Sequence, residues 1–169
     1  MKKSLVFLFA LVLLLPAGCG KKANDHVTGY NVDVPDGFEE TEMEGVKECW
    51  YNAGDGSSIN TTVTDKENGA DAAFKIITAD LTRETLAEMF ESTFGVAPTI
   101  TDRFFTKDEV CGLPAYQYCY DVELDGVTMT QLVVTVNADK LYAFTYTDMT
   151  GGWIDEFQES AKNIELVIE

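Results

Sequence analysis

The residues able to carry chemistry in this 169-residue chain are four cysteines, one histidine, seven tyrosines and many carboxylates. The cysteines form no Cys-x-x-Cys pair, and the single His26 lies near no serine that could act as a nucleophile. The 29 acidic residues make many chance carboxylate pairs, so no pair stands out for acid–base chemistry. The sequence therefore predicts no catalytic residue, no metal site and no cofactor, and it points away from an enzyme.

The first 18 residues have the features of a secretory signal. Lys2 and Lys3 precede an apolar run over residues 5–15, shorter than the roughly 20 residues that span a bilayer. The run leads into Leu-Pro-Ala-Gly-Cys, ending at Cys19, which resembles the lipobox of bacterial lipoproteins although Pro16 replaces the usual Leu. The resemblance implies a diacylglycerol on Cys19, which becomes the first residue of the mature chain. An ordinary secretory signal with a coincidental cysteine is the alternative.

The net charge limits the partners that the chain can have. The formal charge is −17, and loss of the leader would make it more negative. Such a chain repels nucleic-acid phosphates and anionic lipid headgroups, so we expect no nucleic-acid partner. We expect membrane contact only through the Cys19 lipid, whose two acyl chains suffice for stable anchoring. The predicted location is the cell membrane, facing the extracytoplasmic side.

Three segments follow from this interpretation. Residues 1–18 are the signal peptide, residues 19–28 a short polar tether, and residues 29–169 a single domain of ordinary size. The loop at residues 65–71 carries several carboxylates, but its spacing does not match an EF-hand. It is either a solvated acidic loop or a cation site, and the sequence leaves this open.

The centre of the predicted domain is a three-stranded antiparallel meander over residues 113–148. Asp125-Gly126 is a strong signal for a two-residue hairpin loop. A second turn at residues 137–140 pairs Val136 with Leu141 if it has four residues. Strand alternation then places most of the aromatic side chains on one face. That face holds Tyr116, Tyr118, Tyr120, Val122, Met129, Val133, Tyr142, Phe144 and Tyr146.

Two helices are predicted beside this meander. Residues 81–95 form the clearer one, with Thr82 as N-cap, Gly95 as C-cap, and an apolar stripe suited to covering the aromatic face. Residues 153–163 form the second.

Strands are predicted at residues 29–35, 46–53, 58–64 and 99–110. Two segments are ambiguous: residues 72–81 suit a strand or a helical turn, and residues 164–168 suit a strand or an extended tail. This order predicts an α+β fold.

The order of elements resembles that of PsbP-like proteins, which include DcrB-like bacterial lipoproteins. The segment Gly112-Leu113-Pro114-Ala115-Tyr116 matches a turn-to-strand pattern of such lipoproteins. The resemblance implies a PsbP-like sandwich, with an antiparallel sheet of about six to seven strands and helices packed on it. It also implies a binding or assembly factor, although a fold alone does not transfer a function.

Four residues of the aromatic face are the predicted ligand-binding set: Tyr116, Tyr120, Gln131 and Tyr146. The predicted register places the Gln131 amide between Tyr120 and Tyr146, where it can bond their hydroxyls. The set either lines an open groove for a peptide or saccharide, or fills a core with its hydroxyls at the rim.

The cysteines after Cys19 can form at most one intramolecular disulfide, and we expect either a Cys111–Cys119 bridge or no bridge at all. Two functions remain in view. The first is a non-enzymatic module that binds or assembles another envelope protein at the membrane. The alternative is a small-ligand receptor that uses the tyrosine-rich groove.

Overall fold

The computed structural model describes residues 26–169, so the predicted leader, Cys19 and most of the predicted tether lie outside the described residues. The described chain forms nine strands and three helices. The strands are β1 (Val27–Asn31), β2 (Glu39–Glu40), β3 (Glu48–Tyr51), β4 (Ser58–Asp65), β5 (Thr99–Val110), β6 (Leu113–Leu124), β7 (Val127–Asn137), β8 (Lys140–Asp148) and β9 (Glu165–Ile168). The helices are α1 (Ala70–Ile76), α2 (Ala79–Phe94) and α3 (Ile154–Lys162).

Seven strands form one antiparallel sheet in the order β2-β3-β4-β8-β7-β6-β5, which confirms the predicted α+β class. The sheet is built from hairpins, because the strands from β5 to β8 are joined by tight turns that place sequence neighbours side by side. β1 and β9 form a separate two-stranded antiparallel ribbon. The ribbon begins at Val27, so part of the predicted tether belongs to the fold.

The β6–β7 hairpin is the one that the sequence predicts. Asp125 and Gly126 both have positive φ, at 50° and 78°, as a two-residue loop of this kind requires. Leu124 pairs with Val127, and the register carries Tyr120 opposite Gln131.

The predicted register of β7 and β8 is wrong by one residue. Asn137 continues β7 and pairs with Leu141, so the loop has three residues and not four. Two contacts stabilise this three-residue loop. The Lys66 ammonium donates to Asn137 Oδ1 (3.1 Å), and Ala138 is buried. Because side chains alternate along a strand, a one-residue shift moves every β8 side chain to the opposite face.

The sheet therefore separates two cores. On one face α1 and α2 cover the aromatic side chains of β6, and Leu86 and Phe90 belong to that cluster, as predicted for the helix stripe. On the other face α3 and the β1–β9 ribbon cover the β8 aromatics. Tyr142, Phe144 and Tyr146 lie there, and not with Tyr116, Tyr118 and Tyr120.

The start of α2 differs from the predicted one, whereas its end agrees with the prediction. The helix begins after Thr78, whose Oγ1 accepts from the Leu81 amide (3.3 Å), so Thr78 is the N-cap and the Thr82 prediction is wrong. Thr82 lies one turn inside and its hydroxyl donates to the Thr78 carbonyl oxygen (2.9 Å). Gly95 ends the helix with φ of 72°, as predicted. Within residues 26–169, no helix has the length and apolarity needed to cross a bilayer.

Candidate functional site

The predicted ligand set is divided between the two cores. Tyr116, Tyr120 and Gln131 lie on the α2 face, whereas Tyr146 lies under α3 on the other face. Tyr120 Oη donates to Gln131 Oε1 (2.7 Å), and Gln131 Nε2 donates to Thr147 Oγ1 (3.0 Å). The predicted Tyr120–Gln131 contact is therefore present. The predicted contact of Gln131 with Tyr146 is not, because the shifted register puts Thr147 opposite Gln131.

Burial assigns these four side chains to the cores. Each is at most 3% exposed. The Tyr146 hydroxyl is bonded to Ser160 Oγ (3.1 Å) and its ring lies 5.3 Å from that of Phe157. Burial also raises the pKa of Tyr116 to about 12 and the pKa of Tyr120 well above its usual value, so both phenols are neutral in the folded chain. The four residues do not line one open groove, and the tyrosines fill two cores.

A charged group ties α2 to β5 at the rim of the aromatic core. Arg83 of α2 contacts both Asp80 and Asp102, and the Tyr118 hydroxyl donates to the same Asp102 carboxylate. Burial and the neighbouring Asp102 carboxylate raise the pKa of Tyr118 above its usual range. These contacts hold the helix over the β5–β6 aromatics and give the Tyr118 hydroxyl a partner.

The predicted disulfide between Cys111 and Cys119 is not formed, and both thiols are free. Cys111 lies exposed in the β5–β6 turn with φ of 52°, whereas Cys119 is buried in the middle of β6 opposite Phe104. Cys119 lies six residue steps along the strand from Leu113, or about 20 Å at roughly 3.3 Å per residue. A disulfide needs a Cα separation below about 7 Å, so the strand geometry prevents this bridge.

An ammonium group, and not a metal-ligand arrangement, organises the acidic loop at residues 65–71. Lys66 Nζ donates to Asp71 Oδ1 (2.7 Å), to Asn137 Oδ1 (3.1 Å) and to the Ala138 carbonyl oxygen. Although burial opposes the charge, the Lys66 hydrogen bond holds the pKa of Asp71 below its ordinary value. No group of three or more metal-ligating side chains occurs within the described chain.

Asp148 organises the connection between β8 and α3, which the sequence marks only by Gly151-Gly152. Its buried carboxylate accepts from the amides of Thr150, Gly151 and Trp153 at 2.8–2.9 Å. The Trp153 indole donates to Asp55 Oδ2 (2.6 Å), which joins this connection to the β3–β4 loop. The four donors satisfy the two carboxylates, so the arrangement serves to position α3.

The largest feature that sequence analysis missed is a row of small polar side chains on the α2 face. Asn60 of β4 pairs with Thr145 of β8, and Thr62 lies two residues farther along β4 on the same face. Asn60 is fully buried. The sequence does contain a signal for this row, because Ser58, Asn60, Thr62 and Thr64 are small polar residues at every second position. A search for aromatic patterns does not find it.

The two ends of the seven-stranded sheet differ strongly. β2 has two residues, whereas β5 has 12 and lies at the other end, with β6 as its only strand partner in the described sheet. Phe104 and Phe105 are half-buried on opposite faces of β5. Beside β2, a cleft of about 550 Å³ is lined by residues that include Glu40, Glu42 and Glu48.

Solved structures share this fold at low sequence identity. The cyanobacterial PsbP (CyanoP) of Synechocystis sp. PCC 6803 superposes with a TM-score of 0.65 at 14% identity, covering 92% of this chain and 99% of that one. LpqN of Mycobacterium tuberculosis, described as involved in cell envelope biogenesis, superposes with a TM-score of 0.51 at 11% identity, covering 88% and 87%. No protein-family model matches the sequence, and neither does any curated protein sequence. The chain therefore has a PsbP-like fold.

Proposed function

We propose that this chain is a membrane-tethered extracytoplasmic lipoprotein whose α+β domain binds or assembles another envelope protein without catalysing a reaction. The lipobox-like sequence ending at Cys19 supports the tether. The fold that the domain shares with LpqN, a protein involved in cell envelope biogenesis, is compatible with an envelope role. The short stretch between Cys19 and β1 would keep the domain close to the membrane, because seven residues reach roughly 25 Å at most.

The observation that carries the binding proposal is the open edge of β5. An edge strand presents a row of backbone N–H and C=O groups to which an extended segment of another protein can pair. β5 offers 12 residues for such pairing, against two for β2. The half-buried rings of Phe104 and Phe105 lie along this edge, one on each face, where a partner can cover them.

The charges on β5 favour a foreign partner over a second copy of the chain. The strand has an irregularity between Asp102 and Phe104, at Arg103, whose guanidinium is bonded to Asp121 Oδ1 (2.9 Å). Bulges and charges are the devices that protect an edge against pairing with its own kind. They leave the half from Phe104 to Glu109 as the regular part of the edge. We therefore place the partner segment beside this half.

Site-specific photo-cross-linking in intact cells tests this surface. A photoreactive residue replaces Thr106 on β5, and in a matched variant it replaces Thr41, which follows β2 at the opposite end of the sheet; both threonines are exposed. We expect Thr106 to give one discrete adduct with a membrane-associated protein and Thr41 to give none. An adduct from Thr41 alone, or none from either position, would contradict binding at β5.

A further inference from the structure

The start of the described chain is held at one end of the seven-stranded sheet. His26 Nδ1 lies 2.8 Å from Asp139 Oδ2, and the Val27 amide donates to Asp139 Oδ1 (3.4 Å). The Tyr142 hydroxyl donates to the Val27 carbonyl oxygen (3.3 Å). Because Asp139 lies in the β7–β8 loop, we call this end of the sheet the Asp139 end. The predicted tether therefore joins the domain at the Asp139 end.

The partner-binding half of β5 lies toward the same end. The strands from β5 to β8 are consecutive hairpins, so their turns alternate between the two ends of the sheet. The β5–β6 turn, which contains Cys111, is at the Asp139 end, and the β6–β7 loop is at the other. The Leu166 amide of the β1–β9 ribbon donates to Cys111 Sγ (3.3 Å), which places the ribbon beside this turn as well. β5 therefore runs toward the Asp139 end, and Phe104 to Glu109 is its nearer half.

The length of chain before β1 limits how far this half of β5 can lie from the bilayer. The seven residues between Cys19 and Val27 reach roughly 25 Å. β5 lies three strand spacings from β8, about 14 Å, and the half from Phe104 to Glu109 is about 17 Å long. With Cys19 in the bilayer, the whole half lies within about 60 Å of that residue in any orientation of the domain.

An exposed apolar side chain lies beside this half of the edge. The Lys107 ammonium donates to the Lys75 carbonyl oxygen (2.7 Å), so the end of α1 lies next to β5. Ile76, the last residue of α1, is 70% exposed. Phe105 is half-buried and lies on the same face of β5 as Lys107, two residues away. A segment paired with this half can therefore cover Ile76 together with Phe105.

We propose that the segment bound at β5 belongs to a membrane-spanning protein and directly follows one of its spans on the extracytoplasmic side. This inference rests on the lipid anchor and the β5 edge of the proposed function, and it adds the class of partner and the direction of its chain. A segment fixed to the same bilayer meets a site held so close to it at a high effective concentration, which a soluble partner does not. About 20 extended residues after the span suffice to reach the site.

The direction of β5 determines the direction of the partner chain. Every strand pair in the described sheet is antiparallel, and parallel pairing is slightly less stable per residue. A segment antiparallel to β5 runs away from the Asp139 end. A chain that has just left the bilayer runs in this direction, whereas a chain that is about to enter a span runs the opposite way. The antiparallel partner is therefore one that follows a span.

Energy transfer to labelled lipid tests the orientation without a partner. The lipidated chain is bound to phosphatidylcholine vesicles that contain an acceptor-labelled lipid, and a donor dye is attached to Cys111, the exposed thiol among the described cysteines. The matched variant combines Cys111→Ala with Thr128→Cys, an exposed position at the other end of the sheet, about 35 Å away along the strands. We expect severalfold more energy transfer from Cys111. Equal or greater transfer from position 128 would overturn the proposal.

Mapping of cross-links in intact cells tests the partner class and the chain direction. A photoreactive residue replaces Thr106 or, in a second variant, Asp108, which is exposed on the same face two residues nearer the Asp139 end. Mass spectrometry then identifies the partner residue in each adduct. We expect both partner residues within about 20 positions after a span, with the one linked from Asp108 nearer to the span.

Two results of the mapping would overturn the proposal and leave binding at β5 intact. One is a partner that has no membrane span. The other is the reverse order of the two linked residues, which would mean parallel pairing. An absence of adducts from both positions has a different meaning, because it would contradict binding at β5 itself and remove the basis of this inference with it.

Discussion

Phe144 shows how a single side chain can stabilise one of the two cores. It is fully buried in the cluster under α3, and its ring meets that of Tyr30 edge to face at 5.4 Å. Tyr30 follows the first residues of the ribbon, so this contact joins β1 to the centre of the sheet. An edge-to-face pair adds about 0.5–1.5 kcal/mol to the area that it buries.

Replacing Phe144 with Ala should lower the free energy of unfolding by about 3–5 kcal/mol, measured by chemical denaturation. A double-mutant cycle then identifies the face. Tyr30→Leu should couple to Phe144→Ala by about 0.5–1.5 kcal/mol, because the two rings touch. Phe90→Ala, in the core under α2, should be additive with it. Coupling to Phe90 and none to Tyr30 would mean that β8 has the register first predicted from the sequence.

The sequence predicts individual residues well where the local turn is unambiguous. Asp125-Gly126 admits one loop length, so the pairing of Tyr120 with Gln131 followed from it. The turn after Asn137 admits three or four residues, and its length depends on the distant Lys66. Tyr146 was therefore placed on the wrong face of the sheet.

At the scale of elements, Lys66 joins three parts of the fold. It lies between β4 and α1, and its ammonium contacts Asp71 at the start of α1, Asn137 at the end of β7 and Ala138 in the β7–β8 loop. Its side chain is only 12% exposed. Because the charge is enclosed by three oxygen acceptors, loss of Lys66 would leave buried acceptors unsatisfied.

Lys66→Met should lower the free energy of unfolding by about 2–3 kcal/mol, as expected for charge-assisted hydrogen bonds in a sheltered site. Lys140→Met is the matched control, since its ion pair with Asp65 is exposed and should change stability by less than about 1 kcal/mol. Equal effects from the two variants, measured by denaturant titration, would contradict the role of Lys66.

The same contact predicts a dependence on acid. The folded pKa of Asp71 lies below its ordinary value of 3.8, so its contribution is complete above that pH. It is lost as the pH falls from there through the folded pKa. Asp71→Asn should therefore destabilise the chain at neutral pH and lose less stability than the wild type between pH 5 and roughly pH 2. A parallel decline in both proteins would contradict this assignment.

Elements with strong local signals were predicted closely, and those that depend on distant contacts were not. β5 and α2 agree with their predicted positions to within two residues, and for α2 the apolar stripe is the local signal. The β1–β9 ribbon pairs strands near the two ends of the described chain, and no local sequence pattern predicts this pairing. α1 has seven residues, and its amphipathic signal is correspondingly short.

At the scale of the whole molecule, the acidic composition and the proposed lipid have separate roles. A formal charge of −17 opposes binding to anionic headgroups, so the proposed membrane attachment depends on Cys19. Such attachment would confine the β5 edge to a thin layer and raise its effective concentration toward other proteins there. The proposed envelope role therefore depends on the proposed anchor.

Fractionation of cells that express a Cys19→Ala variant tests the central claim most directly. The account predicts that the wild-type chain and a Cys111→Ala control remain with the membranes after a high-salt wash, whereas Cys19→Ala is released. Cys111 is the suitable control because it is an exposed free thiol within the folded domain. Retention of the Cys19→Ala variant on washed membranes would contradict a lipid anchor at Cys19.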